Sequence, residues 1–230
     1  MKVRLLTYTP RPIEAVFTAA RSCYSPATPT EIWNAGAPRE RMHSLIDKVI
    51  GAGHLSVLEH ISLTFSIEGI SRSCSHQLVR HRLASFSQQS QRHVKVKEGK
   101  WVIPPSIEAH RAAIEIFQST LNEVQSSYER LMEMGVHPED ARYLLPNATK
   151  TNLVMTMNLR ELYTVCELRL CTKAQWEIRG VFEAIREEIT KVGELKGFAT
   201  YLQPICFHLG YCPEPKSCGL FPVKGSSTIS

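Results

Sequence analysis

A mixed α/β fold, with a central sheet flanked by long helices, follows from three patterns in the chain. Ile61, Leu63, Phe65 and Ile67 alternate with Ser62, Thr64, Ser66 and Glu68, the period-two signature of a half-buried strand. Met42, Leu45, Ile46, Val49 and Ile50 recur at i, i+3, i+4, i+7 and i+8, which puts them on one helical face. Ile178, Val181, Phe182, Ile185, Ile189 and Val192 make a second such stripe. Long helices between separated strands argue against an all-helical bundle.

The elements follow in order. Val3, Leu5, Leu6 and Tyr8 predict an opening strand over 2–9, punctuated by Pro10 and Pro12, and Ile13, Val16, Phe17 and Ala20 then take helical spacing. Residues 24–38, with three prolines and a glycine, read as a loop. A helix begins at Arg39 and is stopped by Gly51 and Gly53. After the 61–68 strand comes a short helix within 71–83, then a Ser/Gln-rich, nearly uncharged loop from Ser85 to Gln91. Pro104-Pro105 opens a long helix in which Ile107, Ile114, Leu121 and Tyr128 repeat every seven residues, with His110, Phe117, Val124 and Leu131 in the second seam position. Such a helix packs in the core or against another subunit. Residues 148–157 read as extended, and helices follow over 159–171 and 176–196. The expected organisation is a single catalytic unit over 1–203 and a Cys/Pro-rich tail over 204–230, its last dozen residues poorly ordered.

Composition narrows the function. At 230 residues, 43% hydrophobic and 21% charged, the chain can bury one substantial core and is far from a disordered composition. No run approaches the roughly 18 apolar residues that a membrane span needs. Met1-Lys2-Val3-Arg4 leads straight into the first strand, so no export signal is expected. Seven cysteines in such a chain read as reduced thiols and predict a cytoplasmic protein. The net charge of +5 suits a small anionic ligand and falls short of a dedicated nucleic-acid binder.

The densest chemistry is Arg80-His81-Arg82, seven residues, Ser90, then Arg92. At the end of a short helix, three consecutive cationic or cationisable side chains fan over about 200° of its circumference. The hydroxyls, amides and backbone N–H groups of Ser85 to Gln91 meet no competing carboxylate, which suits phosphate oxygens. Residues 80–100 hold six Lys/Arg against the single acid Glu98. A solvated basic loop, or a patch that touches RNA, fits the same composition, and both readings stand at this point. Gly51-Ala52-Gly53-His54-Leu55-Ser56 is a poor dinucleotide fingerprint, since it follows a helix and ends on Ser56. His54, Glu59 and His60 lack the i, i+4 spacing of a metallohydrolase helix. Asn158, Leu162, Val165 and Arg169 share a helix face, and Arg160 projects elsewhere. These arginines either snorkel or reach two different anionic or carbonyl groups. Cys206, Cys212 and Cys218 recur at intervals of six with His208 between the first two. They satisfy a structural zinc site in number and lack its usual Cys-x-x-Cys knuckle.

Arg80-His81-Arg82-x7-Ser90 resembles the Arg-His-Arg-x7-Ser signature of the flavin-dependent thymidylate synthases, the ThyX family. Ala19-Ala20-Arg21, Gly53-His54 with Glu59-His60, Gln77, Glu139-x-Ala141-Arg142 with Pro146, Asn158-x-Arg160, Arg169 and Ala174-Gln175-Trp176-Glu177-Ile178 continue the likeness over residues 15–200. The resemblance implies methylation of dUMP to dTMP, with methylenetetrahydrofolate as carbon donor and FAD reduced by NADPH as hydride source. It implies a homotetramer with sites at subunit junctions, and no metal, nucleic-acid or membrane partner. By the same likeness, His54, Ser56, Glu59, Arg80, His81, Arg82, Leu83, Asn158 and Arg160 contact FAD. Gln77, Gln88, Ser90, Arg92, Arg142 and Arg169 hold dUMP, with Arg142 from a neighbouring subunit. Arg169 and Ser90 are the residues nearest the chemistry, Arg169 favouring an ionised uracil by hydrogen bonds to its edge. No enzyme thiol is needed as nucleophile, because the flavin carries the redox step.

The chain departs from the family pattern at Cys23, Ser87, Gln88, His93 and Thr164. Gln88 keeps an acceptor and loses the carboxylate of the usual Glu, which weakens it for proton handling. The rival reading is a basic RNA-binding module over 80–100 with a zinc-bound tail, against which the modest charge and the uncharged Ser/Gln run both count.

Overall fold

The computed structural model describes residues 1–96 and 101–225. Four antiparallel strands, β1 (Lys2–Tyr8), β2 (Ser62–Ser71), β3 (Ala84–Gln88) and β4 (Lys150–Asn158), form one sheet in the order β1-β2-β4-β3. Leu63, Phe65 and Ile67 of β2 and Leu153, Met155 and Met157 of β4 point to one face and are buried. Each such side chain contributes about 1.5–3 kcal/mol by leaving water. The opposite face is polar and partly open, with Thr64 and Thr156 joined at 2.9 Å between their hydroxyls and Asn152 and Val154 exposed. β2 bulges after Glu68, where Gly69 at φ +72° donates its N–H to Asn152 Oδ1 at 2.9 Å. A residue with a Cβ would be strained at that angle.

Helices α1 (Pro12–Ser22), α2 (Pro29–Ala35) and α3 (Arg39–Gly51) precede a 3-10 turn at Leu55–His60. α4 (Arg72–Leu78) follows β2, α5 (Pro105–Glu108) and α6 (Arg111–Glu133) stand between β3 and β4, and α7 (Pro138–Ala141) leads into a 3-10 turn at Arg142–Leu144. α8 (Leu159–Arg169) and α9 (Trp176–Thr190) follow β4, then α10 (Lys196–Ala199) and α11 (Ile205–Leu209). The apolar stripes of α1, α3, α8 and α9 close over the buried sheet face as one core. α9 lies on β1 and is tied to it where Leu5 N donates to Glu188 Oε2 at 3.2 Å.

Several local expectations need correction. The expected 24–38 loop contains α2, started by a capping box in which the Thr28 hydroxyl accepts from Glu31 N and Thr28 N donates to the Glu31 carboxylate. Thr28-Pro29-x-Glu31 was the available signal, outweighed by the proline count. The Ser85–Gln91 stretch is not all loop, because β4 supplies ladder partners from Ala84 to Gln88 despite weak local strand preference. The short helix ends at Leu78, so Arg80-His81-Arg82 lie in the turn between α4 and β3 and not on a helix. The long heptad helix is broken at His110, whose backbone is extended, and α5 packs back on α6. The last long helix stops at Thr190, while Val192 still packs against the core from the turn that follows. Lys97, Glu98 and Lys100 of the basic stretch, and residues 226–230 of the tail, lie outside the described residues. The tail before them packs: His208 of α11 stacks on Tyr163 of α8 at 4.8 Å, and Cys212 forms a bridge with Val223.

Candidate active site

α4, the turn after it and β3 form a hairpin. Its outward leg starts at Ser71, whose hydroxyl caps α4 by accepting from Cys74 N at 2.9 Å. Ser71 in turn donates its N–H and its hydroxyl to the Glu177 carboxylate, at 2.6 and 2.5 Å. Glu177 is 4% exposed at the start of α9, where Gln175 Oε1 accepts from the N–H groups of Glu177 and Ile178. One buried carboxylate thus locks the α9 start to the β2–α4 turn. In the sequence Glu177 falls in the segment Ala174–Ile178 of the family likeness, with no role assigned to it.

The hairpin carries His81 to Arg169, the last residue of α8. Arg169 Nε donates to His81 Nε2 at 3.0 Å, and Phe182 meets the imidazole edge-on at 6.2 Å. Burial, then the adjacent Arg169 charge, pushes His81 down to about 4. The imidazole is therefore neutral near pH 7, as its acceptor role requires. Arg169 also draws down the Cys74 thiol, although burial first and Glu177 second raise that thiol to about 12. Among the described residues Arg169 makes no ion pair, and its side-chain bond to His81 uses Nε, which leaves the two terminal nitrogens without a protein acceptor there. Gln77 stands one turn before His81 at the end of α4.

The expected flavin residues gather at this end of the sheet. Ala84 pairs with Met157 and Ser62 with Asn158, so Leu83 and Asn158 are neighbours beside the 3-10 turn that carries Ser56 and Glu59. His54, Ser56, Glu59, Arg80, Arg82 and Leu83 are exposed, Leu83 by 71%. Arg80 and Arg82 make no ion pair among the described residues. Asn158 Oδ1 is spent on capping α8, accepting from Glu161 N at 2.8 Å. Arg160 touches the Thr164 hydroxyl at 3.3 Å, lies 5.8 Å above the Tyr163 ring and makes no ion pair among the described residues.

Ser90, Arg92 and Arg142 lie elsewhere. β3 carries the chain from Leu83 to Gln89, six residues or about 20 Å of extended backbone. Ser90 Oγ accepts from Arg92 N at 3.1 Å. Arg92 holds both oxygens of Glu139, at 2.6 and 3.0 Å. Arg142 Nε donates to Glu139 O at 2.9 Å, and its charge, after burial, lowers Arg72. Arg72 is a further cation of this cluster that sequence reasoning missed. Gln88 points inward on alternation, its amide donating to Ser75 and Thr151 hydroxyls at 2.9 and 3.2 Å. Both amide hydrogens are thereby committed within the chain. Five of the six expected dUMP residues therefore form two groups, with Gln77 and Arg169 before β3 and Ser90, Arg92 and Arg142 past its other end, while Gln88 is turned inward to Ser75 and Thr151.

A family model described as "Thymidylate synthase complementing protein" matches residues 4–193. The chain belongs to this family. A flavin-dependent thymidylate synthase of Thermococcus onnurineus is 45% identical over 93% of this chain and 89% of its own length. One of Pyrococcus horikoshii is 46% identical over 93% and 90%. Among solved structures, Thymidylate Synthase X of Helicobacter pylori with FAD and dUMP matches at a TM-score of 0.69 and 25% identity, over 88% of this chain and 99% of that one. The UMP/dUMP methylase PolB of Streptomyces cacaoi, at 24% identity, shares the fold with a TM-score of 0.74, over 88% and 95%. The matched segment, residues 4–193, includes both the Arg80–Arg82 turn and Arg169. Among the described residues, no helix is long and apolar enough to cross a membrane.

Proposed function

We propose that this chain transfers a methylene carbon from methylenetetrahydrofolate to dUMP and reduces it to the methyl of dTMP, with FAD recharged by NADPH, in the cytoplasm. The observation that carries the reading is the pair of Arg169 and neutral His81. Arg169 Nε donates a hydrogen bond to His81 Nε2, which fixes the guanidinium plane. The remaining N–H groups then present a rigid fork suited to a uracil carbonyl and to negative charge developing on the ring. A protonated His81 would repel Arg169 and offer no acceptor.

The residues also suit a flavin nucleotide. Arg80 and Arg82 offer unpaired cations for a pyrophosphate, and exposed Leu83 offers apolar surface for a ring system. FAD, once bound, supplies hydride chemistry that no side chain here can perform. The protein's part is to hold the nucleotide, orient the uracil through Arg169 and exclude water. The Ser90, Arg92 and Arg142 group suits the dUMP phosphate, Arg92 being released from Glu139 or sharing it.

Ser90, Arg92 and Arg142 follow β3 while His81 and Arg169 meet before it, so one copy is read as supplying only part of the dUMP contacts. A homotetramer in which Ser90 and Arg92 of one subunit face Arg169 of another resolves this. The polar open sheet face and the half-exposed stripe of α6, with Ile114, Phe117 and Val124 partly open, suit such contacts. Residues 1–203 form the catalytic unit in this reading, and no nucleic acid is a partner.

The test is product formation. Incubation with dUMP, methylenetetrahydrofolate, NADPH and FAD yields dTMP and tetrahydrofolate, and omission of any one stops it. Sedimentation gives four times the 26.0 kDa chain mass. Absence of dTMP with all four present overturns the reaction, and a monomer that still turns over overturns the shared site.

A further inference from the structure

The sheet ends in two unlike edges. β1, at one end of the order β1-β2-β4-β3, is guarded against pairing with another chain. Lys2 and Arg4 are exposed along it, its register with β2 slips between Leu5 and Thr7, and Glu188 of α9 accepts the N–H of Leu5 at 3.2 Å. β3, at the other end, carries none of these devices. From Leu83 to Gln91 the chain holds no charge and no proline, and the register of β3 with β4 runs unbroken from Ala84 to Gln88. Among the described elements only β4 packs closely against β3.

The outward backbone groups of β3 follow from its ladder. Gln89 N donates to Asn152 O at 2.9 Å, in step with the β3–β4 register. Alternation along an antiparallel pair then turns the N–H and C=O groups of Ser85 and Ser87 toward β4, and those of Ala84, Phe86 and Gln88 outward. Among the described residues, no backbone group of Ala84, Phe86 or Gln88 bonds to a segment outside β4. The side chains alternate across the sheet. Phe86 packs half-buried against the end of the core, while Ser85 and Ser87 are exposed on the opposite face.

We infer that β3 pairs edge to edge with β3 of a second copy, antiparallel about a two-fold axis at Phe86, so that the two sheets join into one. The register that matches the whole strand sets Phe86 opposite the partner's Phe86 and Ala84 opposite the partner's Gln88. These are the residues whose N–H and C=O groups face outward, so the pairing satisfies them all. A two-fold axis presents the same uncharged edge to itself, so no like charges meet along the strand. Strand direction is what singles out a second copy as the partner. β3 runs from the turn where His81 meets Arg169 to Ser90 and Arg92. Antiparallel pairing lays the end of one β3 beside the start of the other, which brings Ser90 and Arg92 of each copy toward the His81–Arg169 pair of its partner. That last step rests on the reading that one dUMP needs both groups, and the edge pairing itself does not.

In this register Ser85 stands directly opposite the partner's Ser87, as a close pair without backbone bonds. Full-length Ser85→Lys/Ser87→Lys should repel its own copy and sediment below four times the 26.0 kDa chain mass, and Ser85→Glu/Ser87→Glu should do the same. Mixing the two variants should restore the wild-type mass, with far-ultraviolet circular dichroism unchanged throughout. Independently, Ser85→Cys/Ser87→Cys treated with diamide should give a covalent dimer that dithiothreitol reverses, its link mapped by mass spectrometry to positions 85 and 87 of two chains. Lys2→Cys/Arg4→Cys, on the guarded edge, should give no link between those positions. Unchanged mass in both charged variants overturns the inference, as does the absence of the link between 85 and 87. Should the charged variants lose structure, the cross-link alone decides. A paired edge without dTMP formation would overturn the flavin reading and leave this surface standing, and dTMP formation with either overturning result would do the reverse.

Discussion

Arg169 and His81, 88 positions apart in sequence, meet through a 3.0 Å bond in which the guanidinium Nε donates and the imidazole Nε2 accepts. Two elements must end together for this to happen. α8 terminates at Arg169, and the α4–β3 hairpin turns at His81. Glu177 holds Ser71 at the start of α4, the helix that leads to His81.

Replacing Arg169 with Ala should lower kcat by about 100- to 1000-fold, the scale for losing one charge-stabilising donor. The fold should survive, because Arg169 is only partly buried and makes one side-chain bond. Steady-state dTMP formation and thermal unfolding of the same preparation check both parts. Full activity in the variant would remove Arg169 from the site.

His81 should titrate near 4, not near 6.5, in an NMR pH series, because burial and then Arg169 oppose its proton. The unfolded chain binds that proton at the ordinary value, so between about pH 6.5 and 4 it holds more protons than the folded chain. His81 therefore makes stability fall as pH drops through that window. His81→Asn should flatten this slope and reduce kcat more than it raises the KM for dUMP. A midpoint at 6.5 would mean that the imidazole does not accept from Arg169.

Glu177→Ala should destabilise the protein by about 3 kcal/mol, since Ser71 would lose two charge-assisted acceptors in a buried place. Glu177→Gln, which keeps one acceptor, should recover part of the loss. Urea unfolding with an unchanged m-value is the readout. Equal stability of the Ala variant would deny the lock.

Ser90→Ala should raise the KM for dUMP about tenfold and change kcat by less than about twofold, the pattern of lost binding without lost chemistry. A covalent nucleotide adduct on Ser90, or a kcat loss with unchanged KM, would contradict its role as a binder. The Arg92–Glu139 pair is half exposed, so Glu139→Gln should alter stability by less than about 1 kcal/mol.

Much of this was legible in the sequence, for reasons that differ by element. β2 and α9 carry unbroken periodicity and a dense apolar face, and the structure builds the core from them. The Arg-His-Arg signature carries the family resemblance whatever its local conformation, and the chain belongs to that family. What the sequence hid was tertiary. β3 exists because β4 offers it a ladder, and Gln88 looks inward because strand alternation sends it toward Ser75. The division of the expected dUMP residues into those before β3 and those after it depends on where the strand runs, which no spacing reports. Cys171 lies 35 residues before Cys206, so its approach to the tail cysteines shows only when α8 and α11 are packed together.

The most direct measurement is the visible absorption spectrum of the purified protein before and after addition of FAD, NADPH and dUMP. The account predicts a bound-flavin spectrum that NADPH bleaches, and faster bleaching when dUMP is present. No flavin bound under any of these conditions would contradict it, and would leave the Arg80–Arg82 turn as a basic surface without its nucleotide.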